Sequence, residues 1–253
     1  METFKESLLI LLFEMLGTML LTGLWCACFF AADLCGLLCG FFILLIFSAR
    51  ISGSPFNPAI TLAFMFRKDT GRFSRLLGLL YIAAQYVGAI LGAIVTYNLF
   101  QAHGGDSDQP LKVLYHYSGD IDCGFTDGEY KCNNDKFLLL VQAIIQEIVN
   151  SMILTFLYLT QTEEKTKISG DPAITTLIIA ATYTGLVGYS ILSAVFTGSP
   201  FNPAAAFGIA FAQLFQGHLD DTNQIYVFFI FSYAGSILAT LLFEFIYKKA
   251  MMS

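Results

Sequence analysis

The chain has 253 residues, of which 56% are hydrophobic and only 13% are charged, and its mean hydropathy is +0.68. An ordinary soluble domain carries nearly twice that charged fraction. The composition therefore excludes an ordinary soluble domain and indicates a membrane protein. The net charge of −6 comes partly from loop 106–135, and no basic patch predicts a nucleic-acid partner.

Six apolar segments have about the 20 residues that a helix needs to cross a bilayer. They are 7–30, 34–50, 76–100, 137–160, 173–195 and 224–247. The first is too long for the core of a signal peptide and no clear cleavage site follows it, so we interpret it as a retained span. Two shorter segments, 58–67 and 203–215, have about half the length of a span, which predicts re-entrant half-helices.

Each half-helix begins inside a repeated sequence, Gly-Ser-Pro-Phe-Asn-Pro-Ala, which occupies 53–59 and again 198–204. The second Pro of each copy suits the first turn of a helix, because its missing N–H would have no partner there. Each half of the chain therefore contains two spans, a half-helix and a third span, in that order. Since three spans are an odd number, the second half must be inverted relative to the first.

The predicted fold class is accordingly an all-α membrane protein, with six transmembrane helices and two re-entrant half-helices in two inverted repeats. The first repeat covers 1–100 and the second covers 137–253. Between them lies a long loop, 101–136.

Basic residues gather on one side of this six-span arrangement, whereas loop 101–136 and the acidic segment 218–221 lie on the other. The basic residues are Arg50, Arg67, Lys68, Arg72, Arg75, Lys165, Lys167, Lys248 and Lys249. Cytoplasmic loops carry an excess of Lys and Arg, so both termini and loop 161–172 are predicted to be cytoplasmic. Loop 101–136 is then extracellular or lumenal. The protein is expected in the plasma membrane or in an intracellular vacuolar membrane.

The six cysteines fall into two groups. Cys26, Cys28, Cys35 and Cys39 lie in or beside spans, where they are expected to be small buried apolar residues and not metal ligands. Cys123 and Cys132 lie nine positions apart in the non-cytoplasmic loop. They can form a disulfide in an oxidising compartment or remain free thiols, and both alternatives stay open.

The two half-helices predict a polar site inside the membrane. Backbone N–H groups at a helix N-terminus have no intrahelical partner, and the helix dipole adds partial positive charge there. Asn57 and Asn202 precede the two helices and supply amide donors. A passing water would turn its oxygen toward them, which interrupts a proton wire, while the positive potential repels cations.

These residues resemble the signature of the major intrinsic protein family, the aquaporins and aquaglyceroporins. The two boxes are Asn57-Pro58-Ala59 and Asn202-Pro203-Ala204, and the match extends over nearly the whole chain, including segment 84–89. The resemblance implies a passive channel without cofactor, metal or enzyme activity, assembled as a homotetramer. It also implies that Glu14 and Glu147 brace the re-entrant loops; Gln85 could serve similarly, with a partner that the sequence does not decide.

The expected selectivity filter departs from the family pattern. Most members have an Arg after the second box, where this chain has Ala205, and the three other filter positions fall on Leu37, Ser190 and Ser199. These small side chains predict a wide constriction unless Phe196, Phe201 or Tyr189 fill it. The fixed positive charge of the Arg is lost, which predicts relaxed selectivity for neutral solutes such as glycerol, urea, ammonia or peroxide.

The sequence leaves two other functions open. A structural member of the family would keep the fold with a closed pore. A secondary transporter also uses inverted repeats and half-helices, although Glu14 and Glu147 are its only candidate proton carriers. No enzyme constellation is present, because the three histidines, His103, His116 and His218, all lie in predicted loops.

Overall fold

The structure is a computed structural model, which describes residues 4–31, 33–67, 73–102, 123–126, 129–132, 136–192, 199–215 and 225–252. Its helices are α1 (Phe4–Ala31), α2 (Leu34–Ser48), α3 (Pro58–Phe66), α4 (Arg75–Ala102), α5 (Lys136–Thr162), α6 (Pro172–Leu192), α7 (Pro203–Phe215), α8 (Ile225–Leu242) and α9 (Lys248–Met252). A π-helix, Phe243–Tyr247, joins α8 to α9. The fold is the helical membrane fold that the sequence predicts.

Five of the described helices are long and apolar enough to cross a membrane, judged by length and composition. The predicted span 34–50 is shorter than expected, because α2 has only 15 residues and ends at Ser48. At about 1.5 Å per residue it extends about 22 Å, less than the roughly 30 Å hydrocarbon core. The end of α2 is followed by the turn that precedes the first half-helix, where Gly53 and Ser54 adopt left-handed backbone conformations.

A small antiparallel hairpin lies between α4 and α5 in the chain. Strands β1 (Cys123–Thr126) and β2 (Glu129–Cys132) pair with Cys123 opposite Cys132 and Thr126 opposite Glu129. The connecting residues are Asp127 and Gly128, a dipeptide that favours two-residue hairpin turns. That dipeptide is the signal from which the hairpin could have been predicted.

The helices pack in two matching sets. In the first half α1 packs on α4, and in the second half α5 packs on α8. Each half-helix contacts the last spanning helix of both halves, so that α3 lies against α4 and α8, and α7 lies against α8 and α4. The half-helices are therefore enclosed by spanning helices of both halves, and α2 meets α6 across the bundle.

Two glycines allow the spanning helices to approach closely. A Cβ placed on Gly88 of α4 would lie 2.1 Å from the carbonyl oxygen of Met15 in α1. The same construction on Gly235 of α8 would lie 2.4 Å from the carbonyl oxygen of Ile148 in α5. Small residues at such contacts let helix backbones meet in a membrane, and these two hold the corresponding helix pairs of the two halves together.

Candidate functional site

The turns that lead into the half-helices hold large residues in an unusual backbone conformation. Phe56 has φ 45° and Phe201 has φ 47°, in the left-handed region that non-glycine residues seldom adopt. Both side chains are fully buried, and the Phe56 ring fills the space beside Gly17, where a Cβ would lie 2.0 Å from the ring. Tertiary packing therefore maintains the strained turns.

Each box asparagine caps its own half-helix and also bonds to the opposite box. The Oδ1 of Asn57 accepts from the Ala59 N–H at 2.9 Å, while its Nδ2 donates to the Phe201 carbonyl at 2.8 Å. The Oδ1 of Asn202 accepts from the Ala204 N–H at 3.1 Å, and its Nδ2 donates to the Phe56 carbonyl at 2.8 Å. These reciprocal bonds hold the N-termini of α3 and α7 against each other.

Both asparagines line a narrow cavity. A primary amide has two N–H donors, and the cross-box bond uses one, so each Nδ2 retains a second donor for this space. The volume open to the centre of a water molecule is about 10 Å³, which is room for about one water. The remaining lining is formed by Leu21, Phe41, Pro55, Ile60, Leu154, Tyr158, Ile179 and Tyr183.

Glu14 is fully buried in α1 and contacts the first half-helix region. Its Oε2 accepts from the Phe56 N–H at 3.2 Å and from Gln85 Nε2 at 2.7 Å. Gln85 Nε2 also lies 2.9 Å from Thr61 Oγ1 in α3. A chain of hydrogen bonds thus runs from the turn through Glu14 and Gln85 into the half-helix, which supplies the partner that the sequence left undecided for Gln85.

Glu147 has the corresponding place in α5 but uses different partners. It accepts hydrogen bonds from the Ser199 and Ser232 hydroxyls, and Ser151 Oγ lies at 3.4 Å. Ser199 Oγ in turn accepts from the Phe201 N–H at 3.0 Å. Both loops therefore place a serine side chain on their glutamate, Ser52 on Glu14 and Ser199 on Glu147, and the first loop adds the Phe56 backbone N–H.

The four expected filter residues are all buried, and none of them lines the narrow cavity. Leu37 and Ser190 lie on α2 and α6, and the N–H of Ala205 in α7 lies 3.4 Å from Asn202 Oδ1. Ser199 directs its hydroxyl to Glu147. Of the residues expected to fill the filter, Tyr189 is 60% exposed and lies on the outside of the bundle. Phe201 is buried beside the boxes, and Phe196 lies outside the described residues.

The cysteines are also distributed differently from the prediction. Cys26 is buried and Cys28 is partly buried, but Cys35 and Cys39 are exposed on α2, because they lie on the face of that helix opposite Leu37 and Phe41. In the hairpin, the backbone register sets Cys123 directly opposite Cys132.

A charged cluster closes one end of the bundle. Glu163, which follows α5, pairs with Arg67 at the end of α3 and lies 3.7 Å from Lys248 Nζ. Lys248 also lies 3.5 Å from Glu244 in the π-helix. Arg67 and Lys248 are two of the basic residues expected on one side of the membrane, and the structure brings both to the same carboxylate.

Replacement of Glu163 by alanine is expected to lower the free energy of unfolding by about 2–3 kcal/mol, because it leaves two cations mostly buried without this partner. The loss stays below that of a fully buried pair because the Arg67 and Glu163 side chains are 11% and 14% exposed. Thermal unfolding in detergent measures the change. Glu164→Ala is the matched control: its side chain is 82% exposed, and a surface pair contributes little. Equal losses in both variants would contradict the prediction.

The fold and site together define an integral membrane protein in which two half-helices meet through paired asparagines. The family model described as Major intrinsic protein matches residues 7–243. The chain therefore belongs to the major intrinsic protein family, as the sequence resemblance predicted.

Several known proteins are similar to this chain. Aquaporin-5 of Ovis aries is 30% identical over 161 residues, covering 63% of this chain and 49% of that protein. Aquaporin-1 of Sus scrofa is 27% identical over 198 residues, covering 78% and 60%. The chain thus spans about half to three fifths of the length of these relatives.

A solved structure supports the same fold. The aquaglyceroporin from Plasmodium falciparum superimposes with a TM-score of 0.73 and 18% sequence identity, covering 97% of this chain and 99% of that one. At this identity the likeness concerns the fold.

Proposed function

We propose that the protein is a passive transmembrane channel for water. The observation that carries the proposal is the pair of cross-bonded asparagines, Asn57 and Asn202, which face one narrow cavity at the N-termini of two half-helices. The similarity to proteins named aquaporin supports the same conclusion. Such a pore conducts its permeant and catalyses no reaction.

We expect this arrangement to exclude protons and cations. The free N–H of each amide offers a donor to a water in the cavity, whose oxygen turns inward and whose hydrogens turn outward. Its neighbours in the file take opposite orientations, so no continuous chain of proton transfer forms. The two half-helix N-termini add positive potential that repels cations. Because Ala205 provides no fixed charge, repulsion of cations depends on these two helix N-termini.

Osmotic shock of reconstituted vesicles tests the channel. Vesicles containing the protein are expected to shrink faster than protein-free vesicles, with flux linear in the osmotic gradient and no pH change inside under a proton gradient. Flux that saturates with solute concentration would indicate a secondary transporter instead. Water permeability equal to that of protein-free vesicles would overturn the proposal. It would favour the alternative of a structural member whose pore is closed at the 10 Å³ cavity.

The supporting roles follow from the contacts. We propose that Glu14, Glu147 and Gln85 brace the re-entrant turns, since their hydrogen bonds end on the turns or half-helices. We also propose the division into inverted repeats, 1–100 and 137–253 around loop 101–136, since the helices of the two halves pack in matching sets. Leu37, Ser190, Ser199 and Ala205 are proposed to form the outer mouth.

The protein's surroundings are proposed from the family and the charges. It lies in a lipid bilayer as a homotetramer, in the plasma membrane or a vacuolar membrane. Both termini face the cytoplasm, since Arg67 and Lys248 share one end of the bundle. Protease protection of tagged termini in sealed cells tests this orientation.

The hairpin supports a disulfide between Cys123 and Cys132, because residues directly opposite in an antiparallel pair have Cα atoms about 4.5–5.5 Å apart, within the range for a disulfide. Non-reducing peptide mapping of the protein purified from membranes is expected to yield the two cysteines in one linked peptide pair. Recovery of both as free thiols after alkylation would contradict it.

A further inference from the structure

We infer that Phe41 and Tyr183 set the size limit of the channel, in place of the residues at its expected outer filter. The inference rests on the proposed water channel and specifies which solutes it passes. It assigns the specificity-determining constriction to an aromatic pair at the level of the box asparagines, and it predicts that water passes while glycerol is excluded.

The two rings meet beside the asparagines. Phe41 of α2 and Tyr183 of α6 are both buried, and their ring centroids are 5.1 Å apart in an edge-to-face contact. Both line the cavity that Asn57 and Asn202 also line. A permeant therefore passes the rings and the amide donors at one place, where there is room for about one water.

The helix positions connect this pair to the expected filter. Phe41 lies four residues after Leu37 on α2, about 6 Å along the same face, and Tyr183 lies seven residues before Ser190 on α6, about 10 Å along its face. The side chains become bulkier at the second level on α6, from a serine to a tyrosine. Small residues at the first level consequently leave a second, narrower level to discriminate between solutes.

The remaining walls make the constriction firm. Leu21, Ile60, Leu154 and Ile179 surround the rings, and all belong with Phe41 and Tyr183 to one packed core cluster. Buried rings in a close-packed interior have no empty space into which they could withdraw. Glycerol has six heavy atoms, whereas the opening has room for about one water.

The test compares water and glycerol flux in the same vesicles. Wild-type protein is expected to pass water but to pass glycerol no faster than protein-free vesicles. The double variant Phe41→Leu/Tyr183→Leu, which gives both positions aliphatic side chains like their neighbours, is expected to raise the ratio of glycerol to water permeability by at least about tenfold.

A matched control is Phe243→Leu. Phe243 is a fully buried aromatic residue in edge-to-face contact with Phe156, but it belongs to a separate cluster with Ala63 and Leu159. It should leave glycerol permeability unchanged. Elution of each variant as a single species in detergent shows that it has folded. If the double variant does not fold, the single variants Phe41→Leu and Tyr183→Leu are compared with Phe243→Leu in the same assay.

The outcomes separate the two proposals. Wild-type protein that passes both water and glycerol, or a water-conducting double variant that still excludes glycerol, overturns the aromatic size limit and leaves the channel intact. Absence of water flux in the wild type overturns the channel, and the size limit with it. Water flux with glycerol exclusion in the wild type, relieved in the double variant alone, supports both.

Discussion

Replacement of Asn202 by leucine is expected to lower the water permeability of reconstituted vesicles by at least about tenfold, because it removes a pore donor and a helix-capping acceptor together. The Phe56 carbonyl loses its donor, and the Ala204 N–H loses its acceptor. Each buried group left unpaired costs about 1–3 kcal/mol, so thermal stability falls as well. Stopped-flow light scattering, normalised to the protein incorporated, measures the loss of flux.

Asn150→Leu provides the matched control. Asn150 is 3% exposed, against 2% for Asn202, but its Nδ2 has no hydrogen-bond partner among the residues that the structure describes. It does not line the narrow cavity. The control variant should retain most of its water permeability. If Asn202→Leu conducts as well as this control, the box asparagines do not act as we propose.

Replacement of Gly88 by alanine is expected to prevent α1 and α4 from packing and to leave little folded protein in the membrane. The added Cβ would lie 2.1 Å from the Met15 carbonyl oxygen and 3.1 Å from the Met19 nitrogen. Both are backbone atoms of a helix, so relief requires movement of the whole helix. We expect a loss of about 3 kcal/mol, the upper end of the range for overpacking, measured as the yield of monodisperse protein and its unfolding temperature.

Gly185→Ala tests whether the position of the glycine matters. Gly185 is also helical, in α6, but a Cβ added there meets no atom within 4 Å. Since alanine favours helix by about 1 kcal/mol over glycine, this variant should fold as well as the wild type or better. Comparable losses in the two variants would contradict the close packing of α1 on α4.

The sequence predicted the parts of the fold that depend on local chemistry. Asn followed by Pro specifies a helix start, and both half-helices begin at the expected residues, Pro58 and Pro203. Long uncharged segments likewise predicted the spanning helices, whose ends moved by only a few residues. The exception is α2, whose end depends on the strained turn that follows it.

Features that depend on distant contacts were not predictable in this way. The bond from Asn57 to the Phe201 carbonyl joins residues 144 positions apart, and no local pattern specifies it. Phe41 and Tyr183 resembled ordinary core residues until the fold brought their rings together beside the boxes. The π-helix at Phe243–Tyr247 carries no Pro or Gly signal, although it places Glu244 near Lys248.

The reciprocal bonds between the boxes also bear on how the chain is made. The first half leaves the ribosome well before the second. The hydrogen bond from Asn202 to the Phe56 carbonyl therefore forms only after a further 146 residues have been made. Until then the left-handed turn at Phe56 is held by contacts within the first half, to Glu14 and beside Gly17. The bonds between the boxes at the centre of the pore are therefore completed late in biogenesis, after Asn202 has been made.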